Sequence, residues 1–194
     1  GKWGYINSSG QEIVSFQYEE AKNFNEGLAL IKKGGKWGYI DISGKEIIRA
    51  ELDFDEMKPF IGGIAWVMKN SKWGAIDKSG NVVIPLLYDR EGWIQEDIIK
   101  VEKGGKWGYI NVSGQEIIAF QYEYALHFQN GISEVKRLGK WGYIDKTGHE
   151  IIPALYEEIK DARDGLYKVK KDGKWGYLDS IGREILPLIY DEIE

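Results

Sequence analysis

The sequence predicts an all-β repeat protein, and three observations carry that prediction. Lys-Trp-Gly occurs six times, at Lys2-Trp3-Gly4, Lys36-Trp37-Gly38, Lys72-Trp73-Gly74, Lys106-Trp107-Gly108, Lys140-Trp141-Gly142 and Lys174-Trp175-Gly176, with the tryptophans 34, 36, 34, 34 and 34 residues apart. A fixed period in this range means one supersecondary unit per period, each burying its apolar face against its neighbours. Between the tryptophans, short runs rich in Ile, Val, Tyr and Trp alternate with Gly and Asn/Asp punctuation, the pattern of strands and tight turns.

Superposing the copies leaves room for four strands per unit. In one unit these fall near Tyr18–Ala21, Leu28–Lys32, Lys36–Ile40 and Glu46–Ile48. The first could be read as a helical turn, but its counterpart Phe54–Phe60 carries Pro59, so extended structure is expected there. Lys33-Gly34-Gly35 joins the second and third strands as a hairpin whose glycines supply positive φ. It recurs as Lys103-Gly104-Gly105 and, more loosely, as Lys171-Asp172-Gly173. The third and fourth strands are joined by a turn that opens on Asn7, Asp41, Asp77, Asn111, Asp145 or Asp179 and closes three residues later on Gly10, Gly44, Gly80, Gly114, Gly148 or Gly182. Asn or Asp accepts a backbone N–H in such a turn and Gly adopts the left-handed region, so turn chemistry is preferred over a calcium loop, which needs a downstream bidentate Glu.

Each Trp stands beside a Gly, so an indole could lie over bare backbone, and six buried indoles would dominate the core. A ring of sugar-stacking platforms is the alternative, disfavoured because packing needs every unit alike and a ligand does not. The Lys before Trp and an acid at Glu19, Asp55, Asp89, Glu123, Glu157 and Asp191 also recur in all six copies. They are expected to form ion pairs within or between units that fix register more than they stabilise.

Laid out as Gly-Lys-Trp-Gly-Tyr-Ile-Asp-x-Ser-Gly-x-Glu-Ile-Ile, the motif resembles that of bacterial WG-repeat (KWG-repeat) proteins over essentially all of residues 1–194, read as one domain with an incomplete last repeat. The resemblance implies a β-rich interaction module and brings no catalytic residues with it. The chain departs from the pattern at Ala75, which replaces the usual Tyr, and in two extra residues around Arg49–Asp53. A six-bladed β-propeller is the favoured architecture, with an open β-repeat superhelix as the alternative. A ring would set the first strand near Tyr190 against Trp3–Val14.

A net charge of −5 with interspersed signs offers no footprint for nucleic acid. There is no apolar run long enough to span a membrane as a helix. The absence of cysteine excludes disulfides and thiol chemistry, and two isolated histidines do not make a metal site. No cofactor is expected and no catalytic constellation is found. Gly1 opens inside a repeat, as expected of a mature product or an excised fragment.

Any site must lie where the copies differ. One variable column reads Leu30, Trp66, Lys100, Glu134, Lys168, which suggests a solvent-facing position and an exposed Trp66. A second reads Asn23, Pro59, Trp93, His127, Asp161, placing Trp93 and His127 at equivalent places in neighbouring units. Exposed Trp suits recognition. The expectation is a non-catalytic binding module that uses Trp66, Trp93 and His127 to hold a protein segment or a glycan. The alternative is a structural spacer that self-associates through its repeat ends.

Overall fold

The computed structural model describes residues 1–161 and 165–193. The chain is all-β, a succession of antiparallel meanders. The first sheet has two strands, β1 (Trp3–Ile6) and β2 (Glu12–Tyr18). The second runs β3 (Glu20–Ala21), β4 (Leu28–Lys33), β5 (Lys36–Asp41), β6 (Glu46–Leu52), and the third β7 (Glu56–Met57), β8 (Ile64–Lys69), β9 (Lys72–Asp77), β10 (Val82–Tyr88). The fourth is β11 (Ile94–Gln95), β12 (Ile98–Lys103), β13 (Lys106–Asn111), β14 (Glu116–Tyr122), and the fifth β15 (Tyr124–Ala125), β16 (Ile132–Arg137), β17 (Lys140–Asp145), β18 (Glu150–Tyr156). The last is β19 (Glu158–Asp161), β20 (Tyr167–Lys171), β21 (Lys174–Leu178), β22 (Glu184–Tyr190). The chain divides into two compact units, Gly1–Glu91 with Val112–Gly114, and Gly92–Asn111 with Gln115–Glu194.

The fourth strand of each unit is longer than the sequence reading allowed and, apart from β6, which ends on Leu52, it ends on the aromatic that was assigned to the first. Tyr18 therefore lies opposite Trp3, Tyr122 opposite Trp107, and Tyr190 opposite Trp175 as the end of the last sheet's own fourth strand. The cause is a bulge. Between the Trp3↔Tyr18 and Tyr5↔Val14 pairs, β2 takes four steps while β1 takes two, and the same shift recurs in every sheet. The looped-out backbone passes directly over the Gly of Trp-Gly. A Cβ at Gly4 would lie 2.5 Å from the Val14 carbonyl oxygen, and one at Gly142 would lie 2.6 Å from that of Ile152. Only glycine fits there, which explains its six-fold recurrence.

The indoles do not dominate the core. Trp37 and Trp175 are buried, Trp73, Trp107 and Trp141 are half-buried, and Trp3 is 58% exposed. Each indole from Trp37 onward carries a lysine over its face, Lys32 on Trp37 at 4.8 Å and Lys100 on Trp107 at 4.3 Å among them. The core is instead built of Tyr, Ile and Val, with Tyr18, Tyr39, Tyr109, Tyr122, Phe60 and Phe128 its largest fully buried side chains. The repeat tyrosine after Trp-Gly reaches into the following sheet. Tyr39 Oη donates to the Lys58 carbonyl at 2.7 Å and packs on Phe60 at 4.7 Å, and Tyr109 does the same with Leu126 and Phe128 at 2.8 Å and 4.9 Å.

The Asx turns form as expected. Asp41 Oδ1 accepts the N–H groups of Ser43 and Lys45 at 2.9 Å and 3.1 Å, and Gly44 closes the turn at φ 82°. Asp145 and Asp179 likewise accept two N–H groups each.

The recurring acid has two tasks. Glu123 holds Lys106 with one oxygen at 3.6 Å, while its other oxygen accepts the N–H of Gly139, in the hairpin of the next sheet, at 3.0 Å. Glu19 and Glu157 repeat the arrangement. The two extra residues of the second repeat fall just after β6 and divide the work. Asp53 takes Lys36 at 2.6 Å and Lys69 at 2.8 Å, and Asp55 takes the hairpin N–H of Asn70 at 2.8 Å.

A further clamp appears in alternate repeats. Glu26, at φ 50°, accepts the N–H groups of Gly62 and Gly63 at 2.5 Å and 3.1 Å and pairs with Lys78 at 3.2 Å. Two repeats on, Glu96 accepts the N–H of Gly131 at 3.2 Å and pairs with Lys146 at 2.8 Å. Each lysine also donates to the backbone carbonyl of its glutamate.

Candidate functional site

The variable columns do not all face solvent, and Trp66 is the correction. It lies on β8 directly opposite Ala75 on β9 and is only 9% exposed. The other sheets put Tyr39, Tyr109, Tyr143 or Tyr177 where Ala75 stands. The indole is thus buried beside the one repeat position that lacks its phenol ring, and it cannot serve as a surface platform.

Trp93 is 71% exposed, as expected. It follows Gly92, whose bare Cα lies so close to the Lys100 carbonyl that a Cβ there would sit 1.9 Å from the oxygen. That close approach is available only to glycine, and it delivers the chain to β11 with the indole outward. Asp161, the last member of this column, has a side chain outside the described residues.

His127 precedes Phe128, which is fully buried, so the ring is carried at the edge of the core and is half-buried. It lines a cavity of about 420 Å³ on the second unit. The floor comes from the middle strands of two sheets, Ile132 and Glu134 on β16, Tyr143 on β17 and Tyr167 on β20. The rim comes from Gln95, Leu126, Gln129 and Asn130, in the segments that precede the second strands. Trp93 is not among the lining residues.

Glu134 and Tyr143 are cross-strand partners on β16 and β17, which places their side chains on one face. Tyr143 Oη donates to Glu134 Oε2 at 3.4 Å, and the Tyr143 ring packs on Tyr167 with centroids 4.9 Å apart. Burial pushes the Glu134 carboxyl above its ordinary range, and the Tyr143 hydroxyl only partly offsets this. Burial, and then the charge of Lys100, hold the His127 imidazole below its ordinary value, so the ring is neutral at pH 7. Lys100 itself turns away, donating to the Ala125 carbonyl at 2.9 Å and lying over Trp107.

Among the described residues the arrangement is a concave site with an aromatic wall, an amide rim, a neutral imidazole and a single carboxylate. Its chemistry is suited to holding a polar ligand. The Asx-turn carboxylates that a metal might have used are occupied by backbone N–H groups. No helix among the described residues is long and apolar enough to cross a membrane. Sequence reading found His127 but missed Glu134, Tyr143 and Tyr167. Glu134 stood in the column with Trp66, and its cross-strand pairing with Tyr143 was the signal that could have located the cavity.

The fold and cleft define an all-β repeat protein of the binding or structural kind. The chain belongs to the WG containing repeat family, whose model matches at residues 3–37, 37–73, 73–107, 107–141, 141–175 and 175–194. No curated protein matches it. Among solved structures it is similar to Kluyveromyces lactis Hsv2, at 9% identity and a TM-score of 0.38 over 83% of this chain and 59% of that one. It is also similar to a protein of unknown function from Bacteroides caccae, at 14% identity and a TM-score of 0.31 over 96% of this chain and 84% of that one. A form of KlHsv2 with loop 6CD replaced by a Gly-Ser linker matches at 10% identity and a TM-score of 0.40 over 88% of this chain. The chain spans 64% of the length of that structure.

Proposed function

We propose that the protein is a non-catalytic recognition module that holds a protein segment or a glycan in the cleft beside His127. The observation that supports this reading is that a cavity of about 420 Å³ opens where the repeats diverge, while the recurring residues are committed to turns, bulges and clamps. Aromatic, amide and imidazole groups around a concave surface are the usual furniture of a binding site. Trp93, exposed on the preceding repeat, adds a second contact for an extended ligand. The test is a glycan array and a peptide display screen with the intact chain, repeated with His127→Ala and Trp93→Ala. Ligand capture that is lost with His127→Ala and weakened with Trp93→Ala is the expected result. Capture that survives both changes would place the site elsewhere.

A further inference from the structure

Among the described residues that line the cleft there is one carboxylate and no cationic partner for it. Glu134 is half-buried on the middle strand of its sheet, and the hydrogen bond it receives in the cleft comes from Tyr143. The lysines of the same column are engaged elsewhere. Lys100 is held by the Ala125 carbonyl and the Trp107 ring, and Lys168 by the Ile193 carbonyl and the Trp175 ring. The remaining polar lining among the described residues is neutral, with the amides of Gln95, Gln129 and Asn130 at the rim.

Resting on the reading of the cleft as a binding site, we infer that it recognises a basic side chain of a peptide, seating a guanidinium or ammonium group between the Glu134 carboxylate and the Tyr143–Tyr167 wall. A cation desolvated against an aromatic face gains from the ring quadrupole, and a carboxylate at the same place supplies a charge-assisted hydrogen bond. The two rings pack on each other at 40°, forming a wall rather than a slot, so the cation lies against the rings and reaches Glu134 across the pair. Amides at the rim suit the backbone on either side of such a residue, donating to its carbonyls and accepting from its N–H groups. Neutral sugars would use the amides and the aromatic wall equally well but would leave Glu134 without an ion partner, and that contrast separates the two ligand classes.

The experiment uses the full chain with isotope-labelled tyrosine and titrates it with N-acetyl-arginine methylamide, N-acetyl-lysine methylamide, N-acetyl-norleucine methylamide and chitotriose. The expected result is that the arginine or lysine probe shifts the Tyr143 and Tyr167 ring signals while norleucine does not. Glu134→Gln should weaken that binding by roughly tenfold to a hundredfold, the worth of a hydrogen bond to a charged group. Gln129→Glu, which adds a second carboxylate at the rim, should tighten it and serves as a variant independent of the cleft floor. Chitotriose shifting the rings in place of the cations, or Glu134→Gln binding the cations as well as the unmodified chain does, would overturn the cationic inference and leave a binding module standing. Silence from all four probes together with a blank array and display screen would overturn both.

Discussion

At one pair of cross-strand positions the third sheet carries Trp66 opposite Ala75, and the fifth carries Glu134 opposite Tyr143. Backbone, register and flanking turns are alike, yet the first pair is buried and the second lines a cavity. The difference shows how a repeat protein opens a cavity. The frame is kept by residues that bond to backbone, and one face of the middle strands is left to vary in volume and polarity. A large residue facing a small one seals the sheet. Glu134 facing Tyr143 lines an open cleft, whereas Lys100 facing Tyr109 turns onto Trp107 and leaves that phenol fully buried.

The strongest way to break the comparison is to empty the sealed pair. Trp66→Ala, with Ala75 already opposite, leaves no bulky side chain at either position of the pair and should cost about 3–5 kcal/mol, read as a lower denaturant midpoint with unchanged slope. Restoring the repeat consensus on the facing strand is the next test. Ala75→Tyr should overpack against the indole and cost about 1–3 kcal/mol. The double variant Trp66→Leu/Ala75→Tyr, which imitates Leu30 opposite Tyr39, should recover most of it in a double-mutant cycle.

A smaller effect separates two tyrosines at the same repeat position. Tyr109 Oη is buried, bonded to the Leu126 carbonyl at 2.8 Å and to Ser133 at 2.8 Å, whereas Tyr143 faces the cleft. Tyr109→Phe should therefore cost about 1 kcal/mol, and Tyr143→Phe should produce a clearly smaller shift in the same thermal melts.

The smallest signal is a pH dependence. Glu134 has its carboxyl raised in the folded state, so the native chain holds this proton more tightly than the unfolded chain does. Its contribution is present below the ordinary glutamate range and is lost as the pH rises through the raised value. Glu134→Gln cannot titrate, so its stability relative to the unmodified chain should improve on going from about pH 4 to about pH 7. Urea midpoints at the two pH values measure this, and a Glu134→Gln midpoint that falls relative to that of the unmodified chain as the pH rises would contradict the assignment.

Much of the frame was legible because its causes are local. An Asp three residues before a Gly makes its own turn, a Gly-Gly pair makes its own hairpin, and a lysine recurring with an acid announces a pair. Fold class and repeat boundaries followed from such signals, whereas the exposure of Trp93 was read from the variability of its column. The bulge was not visible, since nothing in the linear pattern marks two extra steps on one strand, and so the aromatic at Tyr18 and its equivalents was put on the wrong strand. Trp66 was misread because variability was taken for exposure. The short turn at Asn70-Ser71 sets Trp66 against Ala75, and that opposition explains the burial. The cavity was beyond reach because Glu134, Tyr143 and Tyr167 meet across two sheets.

The glutamate clamps have a consequence for the engineering of the chain. Glu26 with Lys78, and Glu96 with Lys146, tie sheets together in couples: second to third, and fourth to fifth. The interval between them carries Gly62 where the glutamate would be and Val112 where the lysine would be. By this mark the clamped unit is a tandem of two repeats, although the Lys-Trp-Gly signature has the period of one. A lengthened version grown by whole tandems keeps every clamp intact. One grown by a single repeat sets two like partners side by side and leaves a glutamate or a lysine with nothing to hold.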